Sequence, residues 1–291
     1  MRTSLAMTVL WGLLASVAAI AEEPVAWLQR MQSAQWQRGY QGIVVYVHDG
    51  RVDQVRIVSR PGDEPYQRLS SLSGERRELL RDGAGVRSVN PRLAPISWPA
   101  MVTLKDALDP TRIAASYRIA LIGNDHVAGF NARLIEAEPQ DNNRYGQRLW
   151  VDPESGLLLG AALIGPRRQL LEQVMFAQLV LDAEAAAAKP STPPRPEAAA
   201  ALARLPGFEL IGRRLDRQRG LEQRVFSDGL ATVSLYLETR EGLPDGEFSS
   251  RRGAVQLFGR QVGARRVLAV GAIPPAAARQ WVELTLAASP P

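Results

Sequence analysis

The side chains able to do chemistry are few, and their spacing is poor. The chain of 291 residues holds two histidines, His48 and His126, and no cysteine. Neither histidine has a neighbour at metal-ligand spacing, and without thiolates a zinc or iron–sulfur site would need carboxylates alone. His48 lies beside a hairpin turn, where an exposed polar residue is routine. The close acid pairs Asp63-Glu64, Asp152/Glu154 and Asp245/Glu247 occupy turn or loop contexts, where solvated carboxylates are ordinary. Glycoside hydrolysis would need two acids converging in a cleft. No G-x-S-x-G elbow, P-loop or strand-following G-x-G-x-x-G is present. DGAG at 82–85 opens no helix and reads as a turn. The residues point away from an enzyme, and no cofactor is expected.

What remains is charge. The formal net charge is +5, nearly all of it arginine. Doublets recur at Arg76-Arg77, Arg167-Arg168, Arg213-Arg214, Arg251-Arg252 and Arg265-Arg266. On a strand, adjacent side chains point to opposite faces, so a doublet there cannot serve one buried partner. Arg167 and Arg168 sit in a GPRR turn, and Arg251 and Arg252 in a stretch read as loop. These four are the candidate contacts for an anionic partner. The first residues bear on which partner that is. Arg2, an apolar run and Ala19-Ile20-Ala21 before Glu22 make a secretory signal cleaved after Ala21. Export removes nucleic acid as the expected partner and leaves acidic protein segments or the phosphates of anionic lipids.

The elements that would carry these residues are mostly strands. Pro24 opens a helical stretch, and from Gln41 the period changes to that of a hairpin turning on Asp49-Gly50. Short strands follow at 66–69, 76–81 and 86–89. A long section rich in proline, 90–110, then reads as a functional loop or flap. Strand character returns with SYRIALIG, is expected to turn near Asn124-Asp125, and continues to Leu181. This gives about ten antiparallel strands over residues 22–181. The Ala- and Pro-rich stretch 182–204 reads as a linker. Residues 205–291 carry several strands and a C-terminal helix and form a smaller α+β domain.

One hairpin is unusually greasy. RYGQRLWVDPESGLLLGAALI (144–164) turns on Asp152 to Gly156, and its second arm does not alternate between apolar and polar. A strand wetted on one face should alternate; one covered on both faces need not. IVVYV at 43–47 has the same excess. A strongly curved open sheet accounts for both, its concave side filled either by packed core or by a cavity able to take an acyl chain.

Three runs in order, WLQRMQSAQWQRGYQGIVVYVHDG, RYGQRLWVDPESGLLL…LLEQVMFAQL and PGFEL…FSDGLATVSLYLE, resemble the MucB/RseB proteins. These are periplasmic negative regulators of an envelope-stress sigma factor. The resemblance spans nearly the whole mature chain. It implies a mainly β fold: a large, unclosed antiparallel barrel of the lipoprotein-carrier type with helices inside, and a small C-terminal α+β domain. It also implies a periplasmic protein that binds the periplasmic segment of a transmembrane anti-sigma factor and shields it from proteolysis. Release would follow when an acyl-bearing ligand, mislocalised lipoprotein or lipopolysaccharide, enters the large domain. A lipoprotein carrier is the alternative, and it leaves residues 205–291 without a role. Self-association is left open. On this reading Tyr46, Trp98, Met101, Trp150, Leu158 and Ile164 are the candidate lipid-cavity residues. Alternation would give 158, 160, 162 and 164 a common face.

Overall fold

The computed structural model describes residues 23–62, 65–74, 76–82, 85–88, 109–185 and 204–288. Helix α1 (Pro24–Gln37) begins on a proline, at a position where the missing N–H has no helical partner to lose. Its Trp27, Leu28, Met31 and Ala34 recur at helical spacing and are buried. A meander follows: β1 (Arg38–His48), β2 (Arg51–Arg60), β3 (Tyr66–Ser71), β4 (Glu78–Asp82) and β5 (Gly85–Ser88). The β1–β2 turn rests on Asp49 and Gly50, at φ 46° and 70°, as a primed hairpin turn requires. Helix α2 (Pro110–Ser116) starts at Asp109, whose carboxylate accepts from the Thr111 and Arg112 N–H groups. Then come β6 (Tyr117–Val127), β7 (Phe130–Pro139), β8 (Gly146–Val151), β9 (Leu158–Ile164) and β10 (Leu170–Ala185).

Strands β1 and β10 pair, which joins the two meanders into one antiparallel sheet of ten strands. Its order is β5-β4-β3-β2-β1-β10-β9-β8-β7-β6. The terminal strands β5 and β6 do not pair, so the sheet curls without closing. Trp27, Leu28 and Met31 of α1 and Ile113 of α2 share one buried cluster with Val44, Ile57, Leu69, Ile135, Leu149 and Phe176. The helices therefore fill the inside of the curl, because their apolar stripes and the sheet's inward residues have no other cover.

A second sheet uses β11 (Glu209–Asp216), β12 (Leu221–Ser227), β13 (Thr232–Thr239), β14 (Gly246–Arg252), β15 (Val255–Val262) and β16 (Arg265–Gly271). Its order is β11-β12-β13-β16-β15-β14. Helix α3 (Pro275–Ala288) covers one face, with Trp281 fully buried against the rings of Phe208 and Phe226 at 5.5 and 4.7 Å. The mainly β, two-sheet architecture read from the sequence is the one observed.

Three local expectations fail. Asn124 and Asp125 do not turn; β6 runs through them, and the turn falls on Ala128 and Gly129, both at positive φ. Asn and Asp favour turns, but ten-residue pairing with β7 outweighs that preference. Arg251 and Arg252 lie in β14, not in a loop, because β15 offers them a ladder. His48 is buried, not exposed: alternation along β1 puts it on the inward face with Val44 and Tyr46.

Candidate functional site

Two places concentrate the chemistry. The first is the inner surface of the large sheet near Tyr46. Its register runs Tyr46 to Val174 on β10, Val174 to Ala161 on β9, and Ala161 to Leu149 on β8. Residues opposite one another share a face, so these line the interior together. The imidazole of His48 stacks on Tyr46 with ring centroids 4.4 Å apart, and its Nε2 lies 3.0 Å from an Asp53 oxygen. The Tyr46 hydroxyl hydrogen-bonds to Glu172; burial and the Glu172 charge both raise it above its ordinary pKa. Burial likewise pushes the Glu172 carboxyl up, against the pull of the Ala254 N–H and of Tyr46.

The second place is the seam between the two sheets, and it is unusually polar. Arg144 is 2% exposed and Asp228 is 0%. Arg144, just before β8, reaches Asp228 of the small domain at 2.8 Å. It is anchored from behind by Asp141, at 3.0 and 2.9 Å, and also donates to the Pro206 carbonyl at 2.6 Å. Asp228 in turn accepts from the Tyr117 hydroxyl at 2.9 Å and from the N–H groups of Leu230 and Ala231 at 2.9 and 2.7 Å. Burial drives the Asp228 carboxyl upward while Arg144 and the two N–H groups draw it down. Asp141 and Asp228 hold the Arg144 guanidinium protonated against its burial. A charge pair so enclosed persists only because nearly every donor and acceptor has a partner.

Two further contacts close the seam. Arg112 of α2 meets Glu209 at 2.8 Å. The β14–β15 turn docks onto the large sheet: the Ala254 N–H donates to Glu172 at 2.6 Å, and the Gly253 N–H donates to Asp49. Gly253 sits at φ 59°, where other side chains are strained, and a side chain there would also press on the Glu172 carboxylate. Beside the Arg144 hub a cavity of about 400 Å³ opens between the domains, lined by Glu138, Asp141, Ile164, Arg168 and Pro274 among others. Among the described residues no cluster of three or more His, Asp or Glu could hold a metal.

The family model for the MucB/RseB N-terminal domain matches residues 23–195, and that for the MucB/RseB C-terminal domain matches 200–285. The chain belongs to the MucB/RseB family. It is 28% identical to the Pseudomonas aeruginosa "Sigma factor AlgU regulatory protein MucB", covering 94% of each chain. It is 22% identical to the Haemophilus influenzae "Sigma-E factor regulatory protein RseB", covering 97% of this chain and 96% of that one. Among solved structures, the Pseudomonas aeruginosa MucA/MucB complex matches with a TM-score of 0.70 at 27% identity, over 90% of this chain and 97% of that one. A crystal structure of MucB in complex with MucA(peri) matches with a TM-score of 0.69 at 26% identity, over 90% and 98%. The family is one of regulatory binding proteins, not of enzymes.

The residues singled out in the sequence of this MucB/RseB-family protein are not gathered at one spot. Tyr46 is on the inner face. Trp98 and Met101 lie outside the described residues. Trp150 pairs with Gly160 and belongs to the opposite face, where its indole N–H donates to Asp125 at 2.9 Å. A bulge places Leu158 and Leu159 together opposite Val151, so Leu158 turns inward while Gly160, Ala162 and Ile164 keep the outer face. The alternation expected over 158–164 is broken there. Ile164 lines the interdomain cavity. Of the arginines, Arg168 is taken up by Glu136 at 2.8 Å, while Arg167, Arg251 and Arg252 form no ion pair among the described residues. Sequence reasoning missed the hub of Arg144, Asp228 and Tyr117. These residues are 84 and 111 positions apart, and nothing local marks them as partners.

Proposed function

We propose that this protein is a periplasmic negative regulator of an envelope-stress response. It holds the periplasmic segment of a transmembrane anti-sigma factor, shields that segment from proteolysis, and lets go when an acyl-bearing ligand enters the large domain. The observation that carries the reading is that the family match runs through both domains, and that a relative matched over 98% of its solved chain, MucB, has been solved in complex with MucA(peri). A lipoprotein carrier would have no use for a second domain locked on by a buried ion pair. In this proposal Tyr46 and Leu158 face the acyl chain and Ile164 faces the seam. Arg167, Arg251 and Arg252 remain available to anionic groups.

The test is a pair of titrations on the mature chain. Binding of an anti-sigma periplasmic peptide is measured by calorimetry with and without saturating lipopolysaccharide, and then in the reverse order. Release by ligand requires each to weaken the other by the same factor. Unchanged peptide affinity under saturating lipid would remove the sensing half of the proposal; no peptide binding at all would remove the regulator.

A further inference from the structure

The inner face of the large sheet is bounded by polar groups of opposite character at its two ends. At the seam end the small domain covers it: Ala254 packs with Tyr145 and Leu163, and its N–H donates to Glu172. The side chains gathered there are acidic. Asp53 stands opposite Tyr46 in register, and the Asp49 charge acts on Glu172.

The other end lies back along β1. Tyr40, Ser59, Gln67 and Arg81 stand opposite one another across β1, β2, β3 and β4, so they form one row on the inner face. Tyr40, Ser59 and Gln67 are 5%, 1% and 4% exposed. The Gln67 amide donates to the Tyr40 hydroxyl at 3.3 Å, and the Arg81 charge acts on the same hydroxyl. The Gln67 Oε1 is buried and has no hydrogen-bond partner among the described residues. An acceptor so placed is costly until a donor reaches it. Between the two ends lie Val44, Ile57, Leu69, Leu79 and Phe176, all buried and apolar.

Granted the acyl-sensing function proposed for this chain, on which this rests, we infer that the row is the head-group subsite of the acyl ligand, whose tail points at the seam. The head group it suits carries an N–H or O–H donor for Gln67 beside an oxyanion for Arg81. Turned the other way, the same head group would meet Asp49, Asp53 and Glu172, which repel an anion. The direction also sets a length. From Tyr40 to Tyr46 strand β1 spans about 20 Å, the reach of an extended chain of roughly sixteen carbons. Tyr46 is therefore the stop of a ruler. A long chain reaches its ring and disturbs its hydrogen bond to Glu172. A short chain fills the apolar middle and leaves the seam as it was. The row sets affinity; chain length sets release.

The test uses N-octanoyl-, N-lauroyl- and N-palmitoylglycine below their micellar concentrations, on the mature chain. Calorimetry measures binding. Energy transfer between dyes on Val52→Cys and Leu243→Cys, exposed sites in the large and the small domain, follows the seam; the chain has no cysteine of its own. All three ligands should bind, and only palmitoylglycine should change the transfer. Gln67→Leu and Arg81→Met should each weaken all three by the same factor, on the order of tenfold, and leave the length threshold where it was. Arg81 is only half-buried, so its variant decides the matter if Gln67→Leu does not fold. Tyr46→Phe keeps the ring and removes the hydroxyl; palmitoylglycine should bind it as tightly without changing the transfer. A change in transfer at every chain length, or at none with all three bound, would overturn the ruler. Unchanged affinity in Arg81→Met and in a folded Gln67→Leu would overturn the head-group subsite. Failure of all three to bind the wild type would remove acyl sensing itself, and the subsite with it.

Discussion

Replacing Arg144 by Met tests whether the polar seam is what holds the two domains together. The substitution preserves much of the side chain's volume and removes its charge. Asp228, with no exposure, would keep the Tyr117 hydroxyl and the Leu230 and Ala231 N–H groups but lose the Arg144 cation 2.8 Å away. An uncompensated buried charge of this kind costs about 3–5 kcal/mol. Asp228→Asn is asymmetric with it. Arg144 would retain Asp141 and the Pro206 carbonyl, so the loss is nearer the 1–3 kcal/mol (roughly) of an imperfectly satisfied buried group. The two effects should not add, because each variant removes the same contact; a coupling of about 0.5–3 kcal/mol is expected in the double variant. Equilibrium urea unfolding, followed by Trp fluorescence and by circular dichroism, measures all three. Arg144→Met should also split the transition, since the small domain keeps its own Trp281 core. A loss below about 1 kcal/mol for Arg144→Met, or strict additivity, would refute the reasoning.

Acidification provides a second probe. The Glu172 carboxyl is raised by burial, so its contribution to stability is fully present below the ordinary glutamate pKa and is lost as pH rises through the raised value. Wild type minus Glu172→Gln in unfolding midpoint should therefore fall as pH rises from about 4 to 8, and a flat difference would contradict the burial argument. Trp281→Ala should cost about 3–5 kcal/mol and unfold the small domain first, measured by loss of protection from protease after residue 204. Leu158→Arg puts an unpaired charge at an inward bulge that is 2% exposed. With Leu158 facing the acyl chain as proposed, acyl binding should be abolished with only a modest fall in the unfolding midpoint; a loss of several kcal/mol, roughly the whole margin of a domain, would place Leu158 in packed core instead.

How far the sequence spoke depended on the range of the interaction concerned. Hairpins declared by a local signal were legible: Asp49-Gly50 and the DPESG turn both fall where turn chemistry puts them. The doubly covered arm LLLGAALI is indeed buried at every position. Its facing was not legible, because a single extra residue at Leu158 and Leu159 changes which side chains turn inward, and no residue type announces a bulge without glycine. Asn124-Asp125 misled for the opposite reason, a local preference overruled by pairing at a distance. The seam was invisible altogether. Arg144 and Asp228 look like two of many surface charges until the fold removes water from both.

Tyr46 links the two places where chemistry is concentrated. Its ring belongs to the inner face of the large sheet, and its hydroxyl meets Glu172, which also receives the Ala254 N–H from the small domain. Two side chains therefore separate the interior from the seam. A ligand can shift the docking of the domains only by interacting differently with the docked and undocked states. Displacing the Tyr46 ring would do so, because it would strip a hydrogen bond from a buried carboxylate that is already costly to keep ionised. The docked state would then lose stability at Glu172 while the Arg144 hub at the other end of the seam stayed intact. That asymmetry favours a hinge about the hub over full separation of the domains. On the proposed release by ligand, the β14–β15 turn, held by Glu172 and Asp49, would be the first contact of the small domain to loosen.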